Sequence, residues 1–250
     1  MKKILKKNAV IVGALYLLGF GAFFYLYKMQ AEGIYPSDLY PHISSALRGG
    51  GYSLLSVIYR GLYALCGDIT LILIVLAAAE LGFAVLLGTV IKRILEKKNI
   101  SLDWGVALIL GFLMLFVCKI YVPLISPVFY RTSFVTQPWH NQTYLLMRIP
   151  GLLTVLYYFK LEKKYLQRLS LKEAAVFTLL LSLTNAIKPN FILFFSLMML
   201  MYLIIDFVRT RGKGVGQIIK FGSCVLVSLG VVLWQSTVLF PSGGEGGGGI

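Results

Sequence analysis

Residues 69–91 read ITLILIVLAAAELGFAVLLGTVI, an apolar run broken by a single charge at Glu80. A stretch of about 20 apolar residues, rising 1.5 Å per residue as a helix, matches the ~30 Å hydrocarbon thickness of a bilayer. The run lacks the period-2 alternation of a barrel strand, and backbone groups in lipid need partners within the segment, so it predicts a helix. Six comparable runs accompany it, at 9–27, 102–122, 144–159, 171–187, 191–207 and 221–239. With 58% hydrophobic residues among 250 and a mean hydropathy of +0.81, the chain reads as an all-α integral membrane protein. The expected architecture is a polytopic bundle of about seven transmembrane helices. A single multi-spanning domain over 1–240 is expected, then a flexible glycine-rich outer segment, 241–250, as a candidate truncation point.

The formal charge of +14 is distributed by loop. Lys2, Lys3, Lys6 and Lys7 precede the first run, and Lys92, Arg93, Lys97 and Lys98 follow the second. Lys160, Lys163, Lys164, Arg168 and Lys172 follow the fourth; Arg209, Arg211, Lys213 and Lys220 follow the sixth. If the spans alternate, these loops share one side, which is the positive-inside pattern with a cytoplasmic N-terminus. The basic excess is therefore topological. Membrane lipids are expected partners and nucleic acid is not. The first run continues through Phe23, Phe24, Tyr25 and Leu26 with no small-residue cleavage site, so it reads as an uncleaved signal-anchor. Cys66, Cys118 and Cys224 form no CxxC; buried free thiols are the commoner fate of such cysteines, with a Cys66–Cys118 disulfide as the alternative.

The remaining loops hold the chemistry. The first, 28–68, contains Ser37-Asp38 and His42, and then 52–65, where Leu54, Leu55, Ile58, Leu62 and Leu65 recur at helical spacing with Arg60 on another side. That pattern predicts an amphipathic helix lying in the interface. Asp38 could act as a general base, with His42 to orient it; the structural alternative is that Asp38 caps a short helix begun at Pro36 and Ser37. The second loop, 123–147, carries Arg131, Gln137-Pro138-Trp139-His140-Asn141 and Tyr144, followed by Arg148. Indole, imidazole and amide groups suit a sugar's ring face and hydroxyls; an interfacial aromatic belt would use the same residues. Lys188-Pro189-Asn190 joins the fifth and sixth runs as a tight hairpin, where the lysine could meet a phosphate or simply snorkel. Glu80 stands alone near the middle of its run, a functional suspect or a protonated side chain packed on a neighbour.

No phosphate-loop, HExxH or EF-hand pattern occurs, and two histidines on separate loops without partner carboxylates speak against a zinc site. These patterns identify no metal ligand set and no certain cofactor, and they leave a divalent-metal requirement open.

Taken with Ser37-Asp38 and His42, the helix at 52–65, Gln137-Pro138-Trp139-His140-Asn141, Tyr144, Met147-Arg148 and Lys188-Pro189-Asn190, the chain resembles the GT-C class of membrane glycosyltransferases. It carries one acid where many members carry an adjacent pair. The resemblance implies a polytopic bundle in a bacterial cytoplasmic membrane. Its active face would be extracytoplasmic, and its donor a sugar linked to polyprenyl phosphate, with a glycan, lipid or protein as acceptor. In that scheme Asp38 and His42 are catalytic. Trp139, His140, Asn141, Arg148, Lys188, Asn190, Arg60 and Arg131 bind the substrates. The alternatives are a transporter or flippase of lipid-linked sugars that uses Glu80, and a non-catalytic polytopic protein.

Overall fold

The computed structural model describes residues 2–35, 37–51, 53–116 and 142–239. Among the described residues the chain is all-helical. In order, the helices are α1 (Lys2–Ala31), α2 (Leu39–Leu47), α3 (Leu54–Cys66), α4 (Thr70–Glu96), α5 (Trp104–Leu113), α6 (Gln142–Glu162), α7 (Leu171–Ile187), α8 (Asn190–Arg209) and α9 (Val215–Leu239). A 3₁₀ turn, Met114–Phe116, follows α5. Four segments are long and apolar enough to cross a membrane: Ala9–Ala31, Thr70–Glu96, Asn190–Arg209 and Val215–Thr237. Their exposed faces carry side chains such as Leu17, Leu18, Phe194, Leu197, Leu226 and Trp234, a surface suited to hydrocarbon rather than water. The chain is a helical, membrane-embedded protein.

The three other expected spans meet helices of a different kind. The run at 102–122 begins with α5, and the residues beyond Phe116 lie outside those described. The run at 144–159 falls within α6, which continues through Pro150 as one helix and carries Arg148. The run at 171–187 coincides with α7, 17 residues long. The glycine-rich segment 241–250 also lies outside the described residues.

Packing divides the chain into two compact units. The first comprises Met1–Gly49 and Ile58–Ile149. Its centre is the antiparallel pair α4 and α5, which meet backbone to backbone. A Cβ on Gly88 would lie 2.5 Å from the Ala107 carbonyl oxygen, and one on Gly111 would lie 2.2 Å from that of Ala84. Ala84 and Gly88, like Ala107 and Gly111, are four apart, so each pair lies on one helix face. These small-xxx-small pairs bring membrane helices together where no hydrophobic force between helices is available. The turn is fixed by polar chemistry: Asp103 Oδ1 accepts from Gly105 N at 2.8 Å and Val106 N at 3.4 Å, capping α5. Lys92, paired with Glu96 at 2.6 Å, donates to the Leu102 carbonyl. Helix α1 joins the pair through Gly19 against Phe112, and Tyr16 donates to the Leu108 carbonyl at 3.1 Å.

The second unit comprises Gly50–Val57 and Pro150–Ile250. Its core is aromatic: Tyr158, Tyr165, Phe177, Phe195 and Phe221 form one buried cluster, with Tyr165 and Phe221 centroids 4.8 Å apart. Helix α7 opens with a capping box in which Ser170 and Glu173 satisfy each other's backbone N–H. It then turns into α8 through Lys188 and Pro189, the expected hairpin. Buried polar pairs tie the helices together: Thr154 to Thr184 at 3.2 Å, Asn185 to Ser228, Gln235 to the Ala186 carbonyl at 2.8 Å, and Tyr165 to Asp206 at 2.7 Å. In a dry interior such bonds satisfy groups that lipid could not.

Candidate functional site

The first unit contains two groupings of polar residues. The deeper one is built on Glu80, whose side chain is 0% exposed in the middle of α4. Expected to stand alone, it instead has an ionic partner: Arg148 Nη1 of α6 lies 3.6 Å from its Oε1. That separation is an ion pair and is longer than a hydrogen bond. Arg148 is 18% exposed, and its guanidinium lies over the Phe83 ring, 5.7 Å from the centroid. Tyr27 of α1, fully buried, is within electrostatic range of Glu80, Arg148 and Tyr59. Neither phenol oxygen and neither Glu80 oxygen has a hydrogen-bond partner among the described residues. Both Glu80 oxygens and the Tyr27 phenol, polar atoms that hydrocarbon cannot solvate, therefore lie within electrostatic range of one guanidinium, with the Tyr59 phenol in range of Tyr27. Buried polar atoms left without partners are rare enough to demand a reason.

Removal of Arg148 should expose the cost of this arrangement. Breaking a buried pair by deleting one member typically costs 3–5 kcal/mol, and the partial exposure of Arg148 places Arg148→Ala at roughly 3 kcal/mol. The unfolding free energy of the reconstituted protein measures it. The Glu80→Gln/Arg148→Gln double variant should be less destabilised than Arg148→Ala alone; equal or greater loss would mean the two charges are not coupled.

The second grouping follows α1. Asp38 occupies the N-cap position of α2 but makes no side-chain cap bond. Ser37 takes the capping role instead, its Oγ accepting from Leu39 N at 3.2 Å. His42 lies one turn on, its backbone N–H donating to the Asp38 carbonyl at 3.1 Å, and both side chains are half-buried. Next to them, a cavity of about 280 Å³ lies among Ala31, Tyr40, Ile43, Ser44, Leu47, Arg48 and Ile69. Its walls are mostly apolar, and Arg48 supplies the cation at its rim. Arg60 of α3 donates Nη1 to the Gly49 carbonyl at 3.3 Å, so this guanidinium also holds the chain just after α2.

The other expected site residues fall elsewhere. Lys188 is the C-cap of α7, its N–H donating to the Thr184 carbonyl at 3.0 Å, and Asn190 opens α8; both belong to the second unit. Arg131, Trp139, His140 and Asn141 lie outside the described residues. No group of three or more His, Cys, Asp or Glu side chains that could hold a metal occurs among the described residues. Cys66, exposed, and Cys224, buried, carry free thiols. Nothing in the sequence around Tyr27 distinguishes it from the chain's other tyrosines; its place beside Glu80 follows from the packing of α1 on α4.

The chain matches no protein-family model, no curated protein and no solved structure.

Proposed function

We propose that the chain is a multi-pass membrane glycosyltransferase of a bacterial cytoplasmic membrane, with about seven spans, a cytoplasmic N-terminus and an extracytoplasmic active face. It moves a sugar from a polyprenyl-phosphate donor to a hydroxyl of a glycan, lipid or protein acceptor. The supporting observation is Asp38. It stands at the N-cap position of a short helix that follows the first long apolar helix, half-buried, with His42 one turn away. Asp38 takes the acceptor hydroxyl's proton as that oxygen attacks the anomeric carbon from the face opposite the donor phosphate. The bond from that carbon to the phosphate oxygen breaks, and the electron pair leaves on the phosphate. Developing negative charge there is stabilised by a preorganised cation, for which Arg148 and Arg60 are the first-unit candidates. The apolar cavity beside α2 suits the first isoprene units of the donor.

The test is transfer of a labelled sugar from a synthetic prenyl-phosphate donor by the reconstituted protein. Product that forms with inversion at the anomeric carbon supports the proposal, and product absent across a panel of sugars and acceptors overturns it.

One observation favours a second reading, a transporter or flippase of lipid-linked sugars: the buried Glu80 with its cation and the Tyr27 phenol is the kind of intramembrane polar group that marks a pathway. The two are separated by variant. Glu80→Gln would stop export and Asp38→Asn would spare it, whereas a transferase shows the reverse dependence on Asp38.

A further inference from the structure

We infer that Glu80 and Arg148 form an exchangeable ion pair: a phosphate monoester entering the cluster takes the Arg148 guanidinium, and Glu80 gains one proton in its place. The inference deepens the proposed function: the monoester is the polyprenyl phosphate that sugar transfer releases from the diester donor, and the transfer step itself is left aside.

The geometry argues for exchange over a fixed structural pair. A stable buried pair satisfies its oxygens with hydrogen bonds as well as charge. Here the two charges stop at 3.6 Å, and both carboxylate oxygens lack hydrogen bonds among the described residues. The Tyr27 phenol, a donor suited to either a carboxylate or a phosphate, lies within electrostatic range of both charges, and it and the Tyr59 phenol have no hydrogen-bond partner among the described residues. Arg148 is the more accessible member, at 18% exposed against 0% for Glu80, so an arriving ligand meets the guanidinium first. An Arg guanidinium presents a planar donor fork that fits a phosphate as well as a carboxylate. A dianionic headgroup on Arg148 would bring it close to the Glu80 charge. A proton on Glu80 removes that repulsion without moving a helix, and the carboxylic acid then becomes a donor itself.

Among the described residues, α1 brings Tyr27 and α6 brings Arg148 to Glu80, α5 carries no titratable side chain, and Tyr59 of α3 lies within electrostatic range of Tyr27. On α4 itself, Lys92, Arg93 and Glu96 lie three turns or more away, and Lys92 and Glu96 pair with each other. Among these described groups Glu80 is the one that takes up a proton.

The full chain is reconstituted in nanodiscs at about pH 8, where a phosphate monoester is a dianion. Proton uptake is read with an indicator dye in weak buffer as farnesyl phosphate is added, with inorganic phosphate as the arm that lacks a prenyl chain. The expected result is uptake of one proton per farnesyl phosphate bound. Glu80→Gln should bind without uptake. It should also bind about tenfold more tightly, because the guanidinium no longer spends most of its time on the carboxylate. Uptake with both compounds would assign the site to free phosphate as well as lipid, and uptake with farnesyl phosphate alone would assign it to the lipid. Binding of the wild-type chain without proton uptake, or no binding of either compound, overturns the inference even if Glu80→Gln fails to fold. Proton-coupled binding in a chain that transfers no sugar would sink the enzyme reading alone; transfer without coupling would sink the exchange alone.

Discussion

Asp38→Asn should lower sugar transfer by roughly 10²- to 10⁴-fold, the usual contribution of a positioned general base. The substitution keeps the shape and the N-cap position and removes only the basic oxygen. Asp38 makes no side-chain cap bond, and Ser37 holds the Leu39 N–H, so α2 does not depend on the carboxylate for its start. The start of α2 should accordingly survive the substitution. The loss belongs in kcat, with KM for the lipid donor nearly unchanged, because the base acts on the acceptor hydroxyl in the transition state. A variant that transfers at the wild-type rate removes Asp38 from the mechanism. A variant that loses activity together with its melting transition would make Asp38 a structural residue.

Gly111→Ala should be the most damaging small substitution in the first unit. Its methyl would be placed 2.2 Å from the Ala84 carbonyl oxygen and 2.5 Å from Gly88 N, both backbone atoms that no side-chain rotation can move. Helices α4 and α5 would have to separate, which forfeits the close contact and the Lys92 and Asp103 bonds at their turn. A cost of roughly 3 kcal/mol or more is expected. Gly82→Ala is the control: it is exposed on the same α4, its nearest neighbour would be Ile149 Cδ1 at 3.9 Å, and alanine is the better helix former by about 1 kcal/mol. Thermal unfolding in nanodiscs should show a large fall in Tm for the first and none for the second. Equal behaviour would remove the backbone contact from the account of this fold.

The helices were legible because hydropathy and period act over many residues. The segment 69–91 needed only its length and its lack of alternation, and the helix expected at 52–65 emerged as Leu54–Cys66. The Lys188–Pro189 turn followed from a proline between two apolar runs. What the sequence did not disclose is pairing between distant residues. Glu80 and Arg148 lie 68 positions apart by numbering, and neither neighbourhood carries a mark of the other. The spacing Ala84-Gly88 and Ala107-Gly111 was readable as two small-residue faces, but only a structure shows that one meets the other. Asp38 illustrates the opposite case. Its position favoured capping by residue type alone, and the choice between Asp38 and the adjacent Ser37 turned on backbone geometry at a single residue.

The central claim is sidedness: the groups proposed for chemistry face the exterior, and the lysine-rich turns face the cytosol. Single cysteines placed at His42, Asn190 and Lys97 in a C66S/C118S/C224S background report it directly, through labelling of intact cells with a membrane-impermeant maleimide. Positions 42 and 190 should label from outside, and position 97 should label only after the membrane is opened. Labelling of 97 in intact cells, or protection of 42 and 190 until lysis, would contradict the account.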